Sequence, residues 1–587
     1  VNFDITYRKP TPLLERCDTF EVCERVLFDG TVHAPFDQQD AEAVATRIAQ
    51  GGYQAVAVAF LHSYANPEHE LWMREVLQRV APHVAVTLSH ELSREYREYE
   101  RTSTAVLDAY TKPLVSSYLE RLEDELAEDD FEGQFLMTRS GGGAMTARTA
   151  REQPVSLILS GPAGGVIGAT AFGRLVDQPN LISIDMGGTS LDASLVIDGE
   201  SVLYQGAEFE QMPINTPSLY IHTIGAGGGS IAWLDPAGAL QVGPQSAGAA
   251  PGPASYGRGG TQPTFTDAAV VLGYLGVDTA LGGTLTLDAD LAEQALQPVA
   301  SNVGLSVPAL ARGIVRISTT KIMGAVRAIT VDLGRDPKDF ALLSLGGAGG
   351  LVAVDVAREL EIPTVVVPPG QGAFCAFGML MADVQHDLAR TEILPLAELT
   401  REAADKKFSE MQDEAQEHLR SEGFADELHR FVRTLDVRYA GQEHSVTVDY
   451  QDSGSPTADP MAEVARSFAE VHERQYGHVM EDPIEVTTLR LHAIGVVDKP
   501  DLPKLETRQG GAPEPVGVRQ VYRDEEHPQV EHALYVREHL LAGDVIEGPA
   551  VLAEHTATTV IHPGDRLRVG DFGELFIDVA ATKESAA

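Results

Sequence analysis

Short apolar runs alternate along the N-terminal part of the chain with segments whose hydrophobic residues recur at helical spacing. Residues 41–50 predict a helix and 55–61 a buried strand that ends at His62, Ser63 and Tyr64. Asn66 and Pro67 then open a second helix, with Glu68 and Glu70 in the first turn, where carboxylates suit the helix dipole. Residues 84–88 form the next strand, and this alternation predicts an α/β layer with parallel strands. The mixed charges of 94–101 read as a solvated helical face. From Tyr110 onward, Tyr110, Leu114, Tyr118, Leu122 and Leu126 recur at every fourth position, which predicts one long amphipathic helix with a packing stripe, ended by Asp129 and Asp130. A short strand at 135–138 opens into the glycines of 140–143, after which Thr146 can cap a helix. Residues 157–159 repeat the pattern into a second glycine loop at 160–165. Each loop fits either the edge of a ligand site or a helix start where glycine eases close packing.

The stretch 181–197 is a strand, a tight bend and a second strand. Asp185 lies at the end of the first strand, Gly187 and Gly188 permit the reversal, and Thr189 and Ser190 add hydroxyls beside newly exposed N–H groups. A carboxylate beside a nest of donors suits a phosphate chain carrying a divalent cation. The same residues also read as an ordinary Gly-Gly hairpin with a solvated Asp. A strand at 221–224 runs directly into Gly225, Ala226, Gly227, Gly228, Gly229 and Ser230. The Gly- and Pro-rich stretch 243–260 is expected to be an ordered loop around a site, because Thr266 and Asp267 at once cap an apolar helix reaching Leu275. A long helix at 309–333 precedes a strand at 340–345, which meets Gly346, Gly347, Ala348, Gly349 and Gly350 before a helix over 351–360. A glycine turn at a helix start offers an anion site and a flat backbone for a base. After a strand at 364–367, Asp383, His386 and Asp387 read either as a metal group or as polar caps of a strand-helix junction. Beyond about 395 the pattern changes to a charged helix at 400–422, antiparallel strands at 432–439 and 445–450, breaks at 452–456 and 509–513, and short strands over 550–579 forming a compact β-rich tail.

With 587 residues the chain exceeds a single core, and three or four units are expected. No stretch approaches the roughly 20 apolar residues of a membrane helix, and no basic, then apolar, leader opens it. Residues 3–7 read like the middle of an element. Three cysteines without a C-x-x-C pair point to a reducing cytoplasm. A net charge of -42 argues against a nucleic-acid partner. Only nine of the 44 basic residues are lysine, which fits a salt-rich cytoplasm and fits an arginine codon bias equally. Several motifs are missing: a Walker loop, G-x-G-x-x-G, G-x-S-x-G, and H-E-x-x-H, since Arg94 stands where the second histidine would fall after His90 and Glu91.

The two glycine turns after Asp185 and Leu345 resemble the second phosphate loop and the adenosine loop of the actin-like ATPase superfamily. Residues 185–190, 221–232, 251–254 and 257–260, together with 61–67, 98–103 and 547–550, resemble the hydantoinase A / 5-oxoprolinase family over essentially the whole chain. That resemblance implies actin-like, ribonuclease H-like ATPase domains with a C-terminal β-rich α+β domain, divided at 1–150, 151–395 and 396–587. It implies ATP and Mg²⁺ as cofactors, Asp185 as the metal-associated and catalytic carboxylate, and Asp192 as a second catalytic candidate. Gly187, Gly188, Thr189 and Ser190 would then donate to the β- and γ-phosphates, and Gly346, Gly347, Ala348 and Gly349 would hold the adenosine side. Gly225, Gly227, Gly228 and Gly229 would face the phosphates or a partner's substrate tunnel. Three departures stand out. The family's first phosphate loop has no counterpart here, Leu191 stands in place of a threonine, and Gly350-Leu351-Val352 in place of Pro-Leu-His. The missing loop is expected on a preceding segment of about 100 residues or on another chain. Relatives use ATP to activate an unreactive carbonyl. The implied role is therefore the ATP-hydrolysing subunit of a cyclic amidohydrolase acting on 5-oxoproline, a hydantoin or another lactam, in a hetero-oligomer with a B-type hydantoinase/oxoprolinase subunit. The alternatives are the ATP-handling subunit of an acetone- or aromatic-ketone carboxylase and a non-catalytic actin-like scaffold.

Overall fold

The computed structural model describes residues 8, 11–204, 207–209, 211–277, 280–450 and 459–581; the expected opening at 3–7 and the break at 452–456 lie outside the described residues. The chain divides into two compact units, each discontinuous in sequence. One comprises Val1–Ala163, Leu203–Leu219 and Ala382–Asp498, the other Gly164–Val202, Tyr220–Met381 and Lys499–Ala587.

In the first unit the expected strand-helix alternation is present. Ala55–Val58 and Ala85–Leu88 pair in parallel, joined through the helix Glu68–Val80. Asn66 starts this helix by accepting the Glu68 N–H. A six-stranded sheet follows the order Val446–Asp449, His429–Tyr439, Ile484–Gly495, Val384–Pro395, Ala144–Thr146, Leu136–Thr138. Thr146 caps the helix Ala147–Glu152 as expected, and the charged helix spans Arg401–Ser421.

Two readings in this unit are corrected. The helix Glu98–Glu128 exists, but its every-fourth-residue stripe does not pack: Tyr110 is 73% exposed, Leu114 78% and Tyr118 54%. The buried face is formed by Arg101, Thr104, Ala105, Leu107 and Asp108, so the charged run 94–101 is not simply a solvated face. Arg101 is 1% exposed and donates to Phe60 O, Ser63 Oγ and Ser89 Oγ beside Glu70. Glu70 likewise does more than complement a helix dipole, since it is wholly buried and accepts from Phe60 N, Ser89 Oγ and His90. Residues 157–159 form no strand; a 3₁₀ turn covers Pro154–Leu157.

The second unit is built on a nine-stranded sheet ordered Ile221–Ile224, Leu191–Ile197, Leu181–Met186, Ala341–Leu345, Thr364–Val367, Leu575–Asp578, Arg566–Val569, Val545–Glu547, with Glu200–Ser201 on the outside of Leu191–Ile197. Leu181–Met186, Ala341–Leu345 and Thr364–Val367 run parallel at its centre. They are covered on both faces, which explains their continuous apolar character. Ile182, Ile184 and Leu342 enter one core with the helix Val307–Thr330, while Leu181, Leu343 and Leu345 enter another with Phe172 and Phe374. The tail strands divide their pairing. Leu575–Asp578 pairs with Thr364–Val367, whereas Gly517–Val521, Val530–Val536, Ala550–Ala553 and Thr558–Ile561 make a separate four-stranded sheet.

Candidate functional site

The site candidates converge at one end of the central parallel strands, inside the second unit. Leu345 and Asp185 are register partners, so the bends that follow them leave the sheet at the same edge and adjoin. Gly346 has φ +78°, and a Cβ there would lie 2.4 Å from Met186 O and 2.5 Å from Asp185 Oδ1, so only glycine fits. Gly346 N–H donates to Gln371 O at 2.9 Å and Ala348 N–H to Met186 O at 3.1 Å, which fastens this bend against the end of the neighbouring strand.

At the first bend, Gly187 N–H donates to Ser190 O at 3.1 Å. Among the described residues the N–H groups of Gly188, Thr189 and Ser190 have no protein acceptor. A Cβ on Gly188 would meet nothing within 4 Å, so the bend is open on its outer side. These are the features of a backbone anion nest.

The third glycine loop stacks beneath that bend. Gly227 N–H donates to Ser230 Oγ, Gly228 N–H to Gly187 O and Gly229 N–H to Gly188 O, at 2.8, 3.0 and 2.6 Å. Its donors are thereby taken up by the protein, and the loop buttresses residues 187–190. A Cβ on Gly227 would lie 2.6 Å from Thr189 N, which explains why glycine is needed without a positive φ. Gly225 is crowded by Pro244 of the Gly- and Pro-rich stretch. That stretch is ordered and reaches the bend: Ala247 N–H donates to Gly229 O, and Ser246 Oγ lies 3.3 Å from Thr189 Oγ1. The helix after it is Phe265–Val271, and its cap is Thr264 rather than Thr266; Asp267 closes a capping box and also accepts from Ala254 N and Ser255 N.

Asp185 and Asp192 are register partners on adjacent antiparallel strands and so share a face of the sheet. Neither has a Lys or Arg partner among the described residues. Burial raises both carboxyls above their usual range; the Cys375 thiol partly offsets this for Asp185, and the Thr223 hydroxyl for Asp192, whose value the neighbouring Asp185 charge raises further. Thr223 Oγ1 donates to Asp192 Oδ1 at 2.5 Å. Cys375 Sγ donates to Asp185 Oδ2 at 2.9 Å, and burial followed by the Asp185 charge pushes its thiol up to about 12, keeping it neutral.

Cys375 was not identifiable from sequence, because a lone cysteine after a turn carries no spacing signal. It is brought in by Phe374–Leu380, which packs closely on Ala163–Leu175: a Cβ on Gly378 would strike Gly164 O. Gly165, on Ala163–Leu175, therefore borders the site, a Cβ there lying 3.5 Å from Asp185 Oδ2. The loop of 140–143 instead serves packing in the first unit, where Gly143 closes on Asp383 O. Leu191 and Val352, at two of the departures from the family pattern, are both core residues.

Two adjacent carboxylates without a cationic partner, beside donors without acceptors, fit a divalent cation carried by a phosphate chain. No group of three His, Cys, Asp or Glu able to hold a metal occurs among the described residues. A hard cation such as Mg²⁺ typically uses one or two carboxylates and completes its shell with water and substrate phosphate, and Asp185 and Asp192 are the residues that would hold one. Asp383, His386 and Asp387 take separate partners: Val497 N, Glu422, and the pair Arg139 and His492. They lie on or just before a strand, not at a strand-helix junction.

Residues 101–388 match the hydantoinase/oxoprolinase family, with its N-terminal region over 2–81 and its C-terminal domain over 397–576. An uncharacterized protein of Methanocaldococcus jannaschii is 38% identical across 98% of this chain and 84% of its own length. The chain belongs to the hydantoinase/oxoprolinase family. Within that family, the caprolactamase alpha subunit of Pseudomonas jessenii is 32% identical over 96% of this chain and 82% of that protein. The crystal structure of the ATP-dependent caprolactamase superposes with a TM-score of 0.89, at 31% identity, covering 98% of this chain and 84% of the other. Nucleotide-free acetone carboxylase superposes with a TM-score of 0.76 at 25% identity, covering 98% and 83%. The fold is the α/β, actin-like ATPase fold of this family. No described helix is long and apolar enough to cross a membrane.

Proposed function

We propose that this chain is the ATP-binding and ATP-hydrolysing subunit of a hetero-oligomeric enzyme that opens a cyclic amide, and that the bends at 187–190 and 346–349 hold the nucleotide. The observation carrying this reading is the convergence, at the ends of two register-paired parallel strands, of an uncompensated carboxylate pair and unpaired N–H donors. Likeness to an ATP-dependent caprolactamase supports the cyclic amide as the substrate class.

Bound as its Mg²⁺ complex, ATP supplies a phosphoryl group that makes an amide carbonyl a better electrophile. Asp185 would hold the cation through its free carboxylate oxygen or through water, while the neutral Cys375 thiol fixes the other oxygen and the rotamer. Asp192, positioned by Thr223, adds negative charge on the same face. The N–H groups of Gly188, Thr189 and Ser190 would neutralise phosphate oxygens without the reorganisation that solvent requires. The loop of 225–230 keeps these donors aimed by holding Gly187 O and Gly188 O. Gly346 to Gly349 would support the adenosine side. A B-type subunit would complete the amide-opening site.

The rival reading is the ATP-handling subunit of a ketone carboxylase, favoured by the likeness to acetone carboxylase. Measuring ATP turnover by the complex that co-purifies with the chain distinguishes them. Stimulation by 5-oxoproline, a hydantoin or caprolactam supports the amidohydrolase, and stimulation only by ketone with bicarbonate overturns it. Nucleotide binding without turnover under any condition overturns both in favour of a scaffold.

A further inference from the structure

A cavity of about 940 Å³ lies wholly within the first unit, lined by residues from 74 to 492 and containing none of the candidate nucleotide-site residues. Its chemistry runs against the character of the molecule. In a chain of net charge -42, its lining carries seven Arg and Lys against six Asp and Glu, with three histidines. Most of these charges are paired in place: Arg74 with Glu91, Arg490 with Glu95, Arg390 with Glu414. Arg94 is the exception. It is half-buried, and its guanidinium has no partner among the described residues.

Two of the histidines are set up alike. His90 Nδ1 lies 2.7 Å from Glu70, and His492 Nδ1 lies 2.5 Å from Asp387. Both carboxylates sit behind the cavity wall or in it, held by further donors: Ser89 and Phe60 N on Glu70, Arg139 on Asp387. Burial alone would raise these carboxyls, yet His90 with its hydroxyl and N–H partners outweighs it for Glu70, and Arg139 with His492 for Asp387, so both stay below the usual range and ionised. An ionised carboxylate can only accept, so Nδ1 of each imidazole carries the proton. In the neutral ring Nε2 is then an acceptor, and in neither residue does it have a protein partner among the described residues. The cavity thus offers one free fork of cationic donors and, wherever the two rings are neutral, two fixed acceptors.

We propose that this cavity is a second small-molecule site, separate from the nucleotide site, for an amido- or amino-carboxylate: the carboxylate on Arg94, and the N–H on the Nε2 of His90 or His492. A guanidinium fork matches a carboxylate in shape and charge, and a neutral imidazole acceptor in the cavity wall favours a ligand that brings a donor over one that covers the ring nitrogen without a hydrogen bond.

The test is calorimetric titration of the purified full chain with N-acetylglycine, which carries one carboxylate and one amide N–H, alongside acetate and inorganic phosphate as controls. The expected result is saturable binding of N-acetylglycine, weaker by about tenfold or more for acetate and for Arg94→Ala, and partly restored by Arg94→Lys. The Arg94 guanidinium has no hydrogen bond or ion pair among the described residues, so Arg94→Ala should keep a melting temperature close to the wild type. Saturating ATP and the Asp185→Asn variant should leave the affinity unchanged, which separates this site from the nucleotide site. In histidine-resolved NMR, the ring signals of His90 and His492 should shift on titration. The proposal is overturned by absence of N-acetylglycine binding, by equal binding to Arg94→Ala, by phosphate binding as tightly as N-acetylglycine, or by loss of binding with ATP or Asp185→Asn.

Discussion

Asp185 shows how one residue can be costly to the fold and useful to a ligand. Its carboxyl and that of Asp192 are raised, chiefly by burial. A carboxyl whose folded pKa exceeds its unfolded value stabilises the protein while protonated, and that contribution fades as pH rises from the unfolded value through the folded one. At neutral pH, without a cation, the pair is therefore a burden. Asp185→Asn keeps an acceptor for Cys375 and removes a charge, so scanning calorimetry at pH 7 should give an unchanged or higher melting temperature, while Mg²⁺-dependent ATP hydrolysis falls by about a hundredfold or more. A variant that melts much lower would mean that the charge is structurally compensated after all. The glycines separate in the same way. Gly227→Ala forces a Cβ toward Thr189 N and should cost about 1–3 kcal/mol in denaturant unfolding, whereas Gly188→Ala meets open space and should be nearly neutral to the fold. Asp185 and both glycine bends were legible in the sequence because so few residue types satisfy a tight reversal beside a strand end. The supporting role of 227–229 was not, since a glycine needed for backbone approach and one needed for a ligand look identical in one dimension. Nor was Cys375, which lies 190 residues from Asp185 in the sequence and is brought to it only by the packing of two helices.

At the scale of elements, most helices were readable from their caps and most strands from apolar runs, but the helix Glu98–Glu128 was misread for a geometric reason. Residues four apart advance roughly 40° beyond a full turn, so a strict fourfold repeat from Tyr110 to Leu126 winds about 160° around the axis and cannot stay on one face. The face that does pack carries Arg101 and Asp108, polar residues that hydrophobic periodicity overlooks. Arg101, Glu70, Ser89 and His90 join three helices and the end of a strand in one buried polar network. Glu70 is held below its usual pKa despite burial, by His90, Ser89 and Phe60 N. A depressed carboxyl contributes stability that is fully present above its unfolded value and is lost as pH falls through the folded one. Glu70→Gln should therefore be less stable than the wild type at pH 7, with the gap narrowing as an acid titration followed by circular dichroism proceeds below about pH 4.5. A gap that stays constant across that range would show that the charge of Glu70 is not what holds the network.

For the whole molecule, the interleaving of two units could not be read from sequence. The pairing of Thr364–Val367 with Leu575–Asp578 joins segments with a different sheet and several helices between them, and nothing local in either strand names its partner. Net charge acts at this scale too. A chain at -42 repels itself, and salt screens that repulsion over a Debye length of about 3 Å at 1 M. Its melting temperature should rise when KCl is increased from about 0.1 to 1 M; a flat or falling profile would mean that the charges are already neutralised locally. The central claim is that the bends at 187–190 and 346–349 grip one nucleotide together, and hydrogen-deuterium exchange of the full chain with and without Mg²⁺ and ATP tests it most directly. The account predicts that amides of both bends gain protection together, with the free N–H groups of Gly188, Thr189 and Ser190 slowed most, and that Asp185→Asn abolishes the change. Protection of one bend without the other, or protection confined to distant segments, would contradict it.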